Sequence, residues 1–137
     1  MAITFSPRPG TVLLCDYGLG RGEHVPPEMT KRRPVVVLSR HSWRQRRSLV
    51  IVVPLSTAAP PEANELNVRI AAGSYAFLRP DVDSWAKCDC VSAVSIRRLD
   101  RLLRRRSYIE AHLRATDFAD IVRATIHAVG GNTLAKG

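Results

Sequence analysis

The chain has 137 residues, 45% of them hydrophobic and 24% charged, which suits one domain with a single modest core and speaks against wholesale disorder. Twenty-one Lys and Arg against twelve Asp and Glu leave a net charge of +9, nearly all of the excess being Arg, so the expected partners are polyanions: nucleic acid, acidic membrane or acidic protein. Cys15, Cys88 and Cys90 are an odd, unpatterned set that does not fit a secreted disulfide scaffold, and neither MAITFSPRPG nor any later run is apolar enough for a signal peptide or a membrane span, so a cytoplasmic protein is expected.

In chain order, two prolines and a glycine make residues 1–10 an extended lead-in. TVLLCDY (11–17) reads as a first strand. Residues 18–33 hold three glycines and two prolines without periodicity, a long loop of the kind that usually carries function. PVVVLSR (34–40) reads as a buried strand, HSWRQRR (41–47) as a basic turn, and SLVIVVPLST (48–57) as the strongest strand of the chain. The prolines of 58–64 make a loop, ELNVRIA (65–71) alternates like a half-buried strand, and SYAFLRP (74–80) is a weaker strand. WAKCDCVSAVSI (85–96) reads as one or two strands, while RRLDRLLRRR (97–106) is open between turn, short helix and strand end.

Phe118, Ile121, Val122, Thr125, Ile126 and Val129 recur at helical spacing, with Thr116 as N-cap and Gly130 as stop. His127 falls on the polar side with Asp120 and Arg123 and is expected to face solvent. Several short strands followed by one amphipathic helix give a mainly β (α+β) domain over residues 1–137, a small barrel or twisted sheet with a helix packed on it.

Three segments carry candidate chemistry. PEMTKRRP (27–34) leads into a strand, VVPLST (52–57) ends one with adjacent hydroxyls, and KCDCVSAVSIRRLD (87–100) follows. A loop–strand junction and a strand end are places where polar groups converge on one rim of a barrel. Cys88-Asp89-Cys90 could form half of a metal site, but the sequence holds no matching second pair, so no metal and no cofactor are expected.

Taken in order and at this spacing, PG-x-V-L-x-C-D-Y, PEMTKRRPVVVLS, VVPLST and KCDCVSAVSIRRLD resemble the MazF/PemK toxins of type II toxin–antitoxin modules, over roughly residues 9 to 130. The resemblance implies an SH3-like β-barrel with a C-terminal helix, a homodimer, metal-independent cleavage of single-stranded RNA at short motifs, and an antitoxin whose acidic segment lies in the RNA groove. It carries the family's functional Arg onto Arg33, its upstream Glu onto Glu28, its strand-end Thr onto Ser56 with Thr57 beside it, and a later Arg onto Arg97. This chain departs from the commoner pattern in having Ser rather than Thr at 56, which keeps the oxygen and loses the methyl that restricts its rotamer.

The chemistry of the residues agrees. When a ribose 2′-OH attacks the adjacent phosphate, charge grows on the phosphoryl oxygens, and fixed donors aimed there are the main requirement. Arg33 is always charged and bidentate, and Ser56 or Thr57 adds a hydrogen bond. Arg is a poor base, so Glu28 is the candidate base and His24 the runner-up, Glu28 being equally suited to orienting Arg33. Lys31, Arg32, Arg44, Arg46, Arg47, Arg97 and Arg98 are candidate RNA contacts; together with Arg101 and Arg104–Arg106 they fit an RNA track and equally a seat for an acidic antitoxin. Trp43 and Tyr75 are candidates for base stacking or for plain packing. The alternative function is a non-catalytic toxin of the same fold that inhibits a protein such as DNA gyrase through its C-terminal helix. A plain RNA-binding barrel ranks last, since only 6% of residues are aromatic and they are scattered.

Overall fold

The β-branched run that starts at Ser48 becomes the axis of the fold. The computed structural model describes residues 2–18, 31–40, 48–62 and 64–131. In it β1 is Val12–Asp16, β2 Arg32–Val37, β3 Leu49–Ser56, β4 Asn67–Ile70, β5 Ser84–Lys87, β6 Ser92–Ser95, β7 Leu99–Asp100, β8 Leu102–Arg104, β9 Ser107–Ile109, and α1 Ala115–Ala128. β2 lies along one edge of β3, pairing Val35 with Pro54, Val36 with Val53 and Val37 with Val52. The other edge serves two strands in succession: β6 beside Leu49–Val52 and β5 beside Leu55–Ser56. Pro54, which has no N–H to give a ladder, stands in the interval between them. A single 3-10 turn, Cys88–Cys90, takes the chain from β5 to β6.

The antiparallel path runs β4-β5-β3-β2-β1-β7, with β6 beside β3 and β8–β9 as a separate hairpin. No ladder joins β4 to β7 among the described strands, so this SH3-like barrel is open there. Period-two alternation sends side chains to two apolar clusters. One holds Val12, Val36, Val53, Leu55, Ala86 and Cys88 beneath Ile121 and Ala124 of α1. The other holds Leu13, Cys15, Tyr17, Val35, Val37, Val52 and Leu99 on the opposite face.

The structure sharpens several expectations and corrects others. The strands at 11–17, 34–40, 48–57 and 65–71 form, β2 starting two residues early so that Arg32 and Arg33 belong to a strand. Segment 85–96 makes two strands, and 97–106 resolves into a 3-10 turn (Ile96–Arg98), β7 and β8. Segment 74–80 is turns rather than a strand: both the amide and the hydroxyl of Ser74 donate to the Ala71 carbonyl, and the Leu78 amide to that of Tyr75.

Helix α1 begins one residue before Thr116, with Arg114 at the N-cap position and no side-chain cap. Its stop is as expected, Gly130 adopting a φ of +84°. The apolar stripe is buried only in part. Ile121 is covered, but Ile126 and Val129 stay 45% and 68% exposed. His127 does not simply face solvent; its Nε2 lies 2.8 Å from Glu65 Oε2, tying the helix end to the approach to β4. Tyr75 is packed rather than available for stacking: it is buried, accepts from the Arg114 amide at 2.9 Å and donates to Asp117. None of the three cysteines is in a disulfide. Among the described residues no helix is long and apolar enough to cross a membrane.

Candidate nucleic-acid cleavage site

The early start of β2 decides where Arg33 goes. Pairing with Cys15 of β1 puts it on the face of Val35 and Val37, at the end of the second apolar cluster. The β2–β3 register, continued two residues past Val35–Pro54, brings Arg33 opposite Ser56. Arg33, Ser56 and Thr57 line one cleft of about 250 Å³ with Arg32, Pro34 and Leu55. The fourth wall comes from the turns after β4, through Phe77, Leu78 and Arg79.

Each polar group there has a distinct state. Arg33 is half-buried, and its Nε is buried with no hydrogen-bond partner among the described residues. A buried guanidinium donor with nothing to bond costs free energy, a cost that an incoming anion would relieve. Ser56 Oγ accepts from the Ala58 amide at 3.1 Å, an anchor that replaces the rotamer control lost with the Thr methyl and leaves the hydroxyl proton available. Thr57 is exposed just beyond the strand end.

Tyr17 and Cys90 lie close enough to Arg33 to feel its charge. Burial pushes the Tyr17 phenol well above its ordinary value, with Arg33 partly offsetting it. Burial and the neighbouring Asp89 push the Cys90 thiol up, against Lys87 and Arg33. Both are neutral near pH 7, and neither lines the cleft, whose polar side chains are the cations Arg32, Arg33 and Arg79 and the hydroxyls of Ser56, Thr57 and Ser84. No carboxylate or imidazole lines it among the described residues. Glu28 and His24, the base candidates, lie outside the described residues, as do Trp43, Arg44, Arg46 and Arg47.

The other basic candidates are spread out. Arg32 points to the opposite face of β2, where its Nε is 3.4 Å from Asp16 Oδ2 in an exposed pair of little energetic weight. It lines the cleft and also a neighbouring hollow of about 230 Å³ that includes Arg97 and Arg98. Arg98 Nη1 donates to the Asp16 carbonyl at 3.1 Å, whereas the exposed Arg97 has only its amide fixed, by Ser95 Oγ. Lys31 is exposed, its carbonyl accepting from the Tyr17 amide. Thus Arg32 joins the cleft to the Arg97–Arg98 surface, while Lys31 lines neither hollow.

Sequence reasoning missed Arg79 and Phe77, because 74–80 has the composition of a strand. Gly73 and Pro80 at its ends were the available turn signal. Arg79 is steered by Asp81, with Nη2 to Oδ2 at 2.8 Å and Nε to Oδ1 at 3.2 Å. A larger hollow of about 440 Å³, walled by Phe5, Arg8, Glu110 and His112, includes none of Arg33, Ser56 and Thr57. Volume does not choose between the two; the Arg33 Nε without a partner among the described residues, beside an anchored hydroxyl, does. Among the described residues no group of three or more His, Cys, Asp or Glu is placed to hold a metal ion.

The family model described as "PemK-like, MazF-like toxin of type II toxin-antitoxin system" matches residues 8–129. The chain belongs to this toxin family. The MazF-like assignment agrees with the neighbours in shape. The Escherichia coli (strain K12) protein YifN is 34% identical over 154 residues, covering 98% of this chain and 99% of that one. MazF from Deinococcus radiodurans superimposes with a TM-score of 0.65 at 19% identity, covering 92% of this chain and 98% of that one. An endoribonuclease from a mycobacterial species, solved in complex with its cognate antitoxin, gives 0.61 at 19% identity over 91% and 96%. At such identities the two structures speak for the MazF fold, and the matched segment contains every element from β1 to α1.

Proposed function

We propose that this MazF-like toxin is an endoribonuclease that cuts single-stranded RNA at preferred motifs, without a metal ion or other cofactor, by attack of the ribose 2′-OH. The observation that carries the reading is Arg33 opposite Ser56, with a buried Nε that has no partner among the described residues. A phosphate in the cleft supplies that partner. Arg33 then stabilises the charge that grows on the phosphoryl oxygens, and Ser56, or Thr57 beside it, donates a further hydrogen bond. The 2′-oxygen attacks phosphorus as its proton passes to a base, Glu28 in this reading with His24 second; the P–O5′ bond breaks, leaving a 2′,3′-cyclic phosphate and a 5′-hydroxyl that takes its proton from water. Lys31, Arg32, Arg97 and Arg98, with Arg44, Arg46 and Arg47, hold flanking phosphates electrostatically.

The +9 surface also suits an antitoxin with an acidic, flexible segment that orders on binding. We place the protein in the cytoplasm as a homodimer, in line with its family. A protein-directed toxin acting through α1 has no use for a buried Arg33 Nε without a partner among the described residues, which favours the nuclease reading.

Incubating the purified, antitoxin-free protein with a long RNA in EDTA tests this. Discrete fragments from the parent that vanish with Arg33→Ala support it. Retention of activity by Ser56→Ala moves the hydroxyl role to Thr57, and near-normal cleavage by Glu28→Gln with His24→Ala removes both base candidates. A well-folded protein that cleaves no RNA overturns the reading and directs the search to a protein target.

A further inference from the structure

The β8–β9 hairpin is built in an unfavourable way for a surface turn. Arg104 pairs with Ser107, so its loop is the two residues Arg105 and Arg106. Their φ values are +50° and +67°. Two consecutive positive φ values in a two-residue hairpin are those of a type I′ turn, which strongly prefers Asn-Gly because a Cβ crowds the left-handed region. All three arginines are exposed, and their guanidinium groups make no hydrogen bond or ion pair with any described residue. Stability alone does not select this tip.

A second observation says what the hairpin is near. A hollow of about 350 Å³ contains Leu102 and Arg104 of the hairpin together with Pro34, Phe77, Leu78 and Arg79. Those last four also wall the Arg33–Ser56 cleft. The two hollows therefore adjoin along one shared wall, with guanidinium groups at both ends and Phe77 and Leu78 between them. Cations for phosphates flanking an apolar surface for bases are the ingredients of a single-strand binding groove.

We propose that the Arg104–Arg106 hairpin is a distal subsite for single-stranded RNA, holding backbone phosphates beyond those in the cleft. This rests on the nuclease reading and extends its substrate footprint. Phosphate is favoured over an acidic peptide because half-buried Phe77 and Leu78, which line both hollows, offer apolar contact to bases, which an acidic side chain does not use.

The test measures binding of fluorescein-labelled 2′-O-methyl uridylate oligomers of four and twelve nucleotides, which lack the attacking hydroxyl, to the full chain at several salt concentrations. The principal variant is Arg105→Asn/Arg106→Gly, which gives the turn its preferred residues. Arg104→Gln is the second, since it leaves the turn intact. The parent is expected to bind the twelve-mer more tightly than the four-mer. Arg105→Asn/Arg106→Gly should lose most of that advantage, flatten the salt slope for the twelve-mer by about 1.4 if both arginines touch phosphate, bind the four-mer as before and melt at or above the parent's temperature. Arg104→Gln should change the twelve-mer alone, by a smaller factor.

Unchanged twelve-mer binding in both variants overturns the proposal, as does an equal loss for both lengths, which is a general field effect. A loss confined to polyglutamate binding assigns the hairpin to an acidic protein instead. A parent that gains nothing from the longer oligomer also overturns it, whether or not it cleaves long RNA in EDTA, and that separate assay alone decides the nuclease reading.

Discussion

The two faces of the sheet end differently. Beneath α1 the cluster is finished: Ile121 and Cys88 are fully buried, and the Cys88 thiol donates to the carbonyls of Ala86 and Ile121. On the other face the apolar side chains of Val35, Cys15 and Tyr17 lead to Arg33, whose buried Nε has no partner among the described residues. One face uses burial to hold the chain together. The other half-buries a cation and encloses its Nε, which on the proposed nuclease reading strengthens that cation's pull on an incoming phosphate. Stability and chemistry are thereby separable, although both depend on the same strands.

Substitutions can break or sharpen that contrast. Removing the cation should have the largest effect: Arg33→Ala lowers kcat by about 100- to 1,000-fold, as loss of a charge-stabilising donor does. Its melting temperature should stay level or rise, because an unsatisfied buried donor goes with it. A fall of many degrees would make Arg33 a structural residue and erase the contrast. Ile121→Ala should do the opposite, costing about 2–5 kcal/mol of stability through the cavity it leaves, while the fraction still folded keeps its cleavage rate. Denaturant unfolding alongside rate measurements separates the two.

A pH titration probes the finished face. Burial pushes the Cys88 thiol up to about 11 from an ordinary 9. A group whose proton is held more tightly in the fold contributes stability that is complete below its unfolded value and lost as pH rises through the folded one. Stability should therefore decline between pH 9 and 11, with Cys88 accounting for about 2 kcal/mol of the fall. Cys88→Ala should flatten that part of the curve, leaving the contribution of Tyr17, whose phenol is also raised. A profile identical to the parent's would show that the thiol is not as enclosed as its burial implies.

Smaller effects mark the rim of the cleft. Ser56→Ala should cost about tenfold in kcat, the worth of one hydrogen bond to a charged group, and Thr57→Ala less. Arg32→Ala should change KM only a few-fold, by an amount that shrinks with added salt, because its pairing with Asp16 is exposed. An Arg32 effect as large as that of Arg33 would mean that the two sides of β2 share the work.

What was legible in the sequence follows the range of the forces involved. The valine runs of β2 and β3 announce themselves because alternation and β-branching are local, and the motif pair at 33 and 56 falls on adjoining strand ends. The start of α1 was missed because its first turn is met by Tyr75, some forty residues away, and not by Thr116. His127 looked solvent-facing beside Asp120 and Arg123, but Glu65 comes to it from another part of the chain. Arg79 was hidden by a segment with strand-like composition whose polar groups close local turns instead. Tertiary partners of this kind leave no periodicity to read.

The divided edge of β3 bears on how the protein is made. A ribosome delivers β1, β2 and β3 first, and these can pair with one another as soon as they emerge. The far side of β3 must wait for residues 84–95, and the Ser56 end is the part that Trp85 completes. Until then the nascent chain exposes a bare apolar strand, and before residue 79 emerges it also lacks the Arg79 wall of its cleft. Incomplete translation products should therefore be insoluble rather than harmful to the cell that makes them.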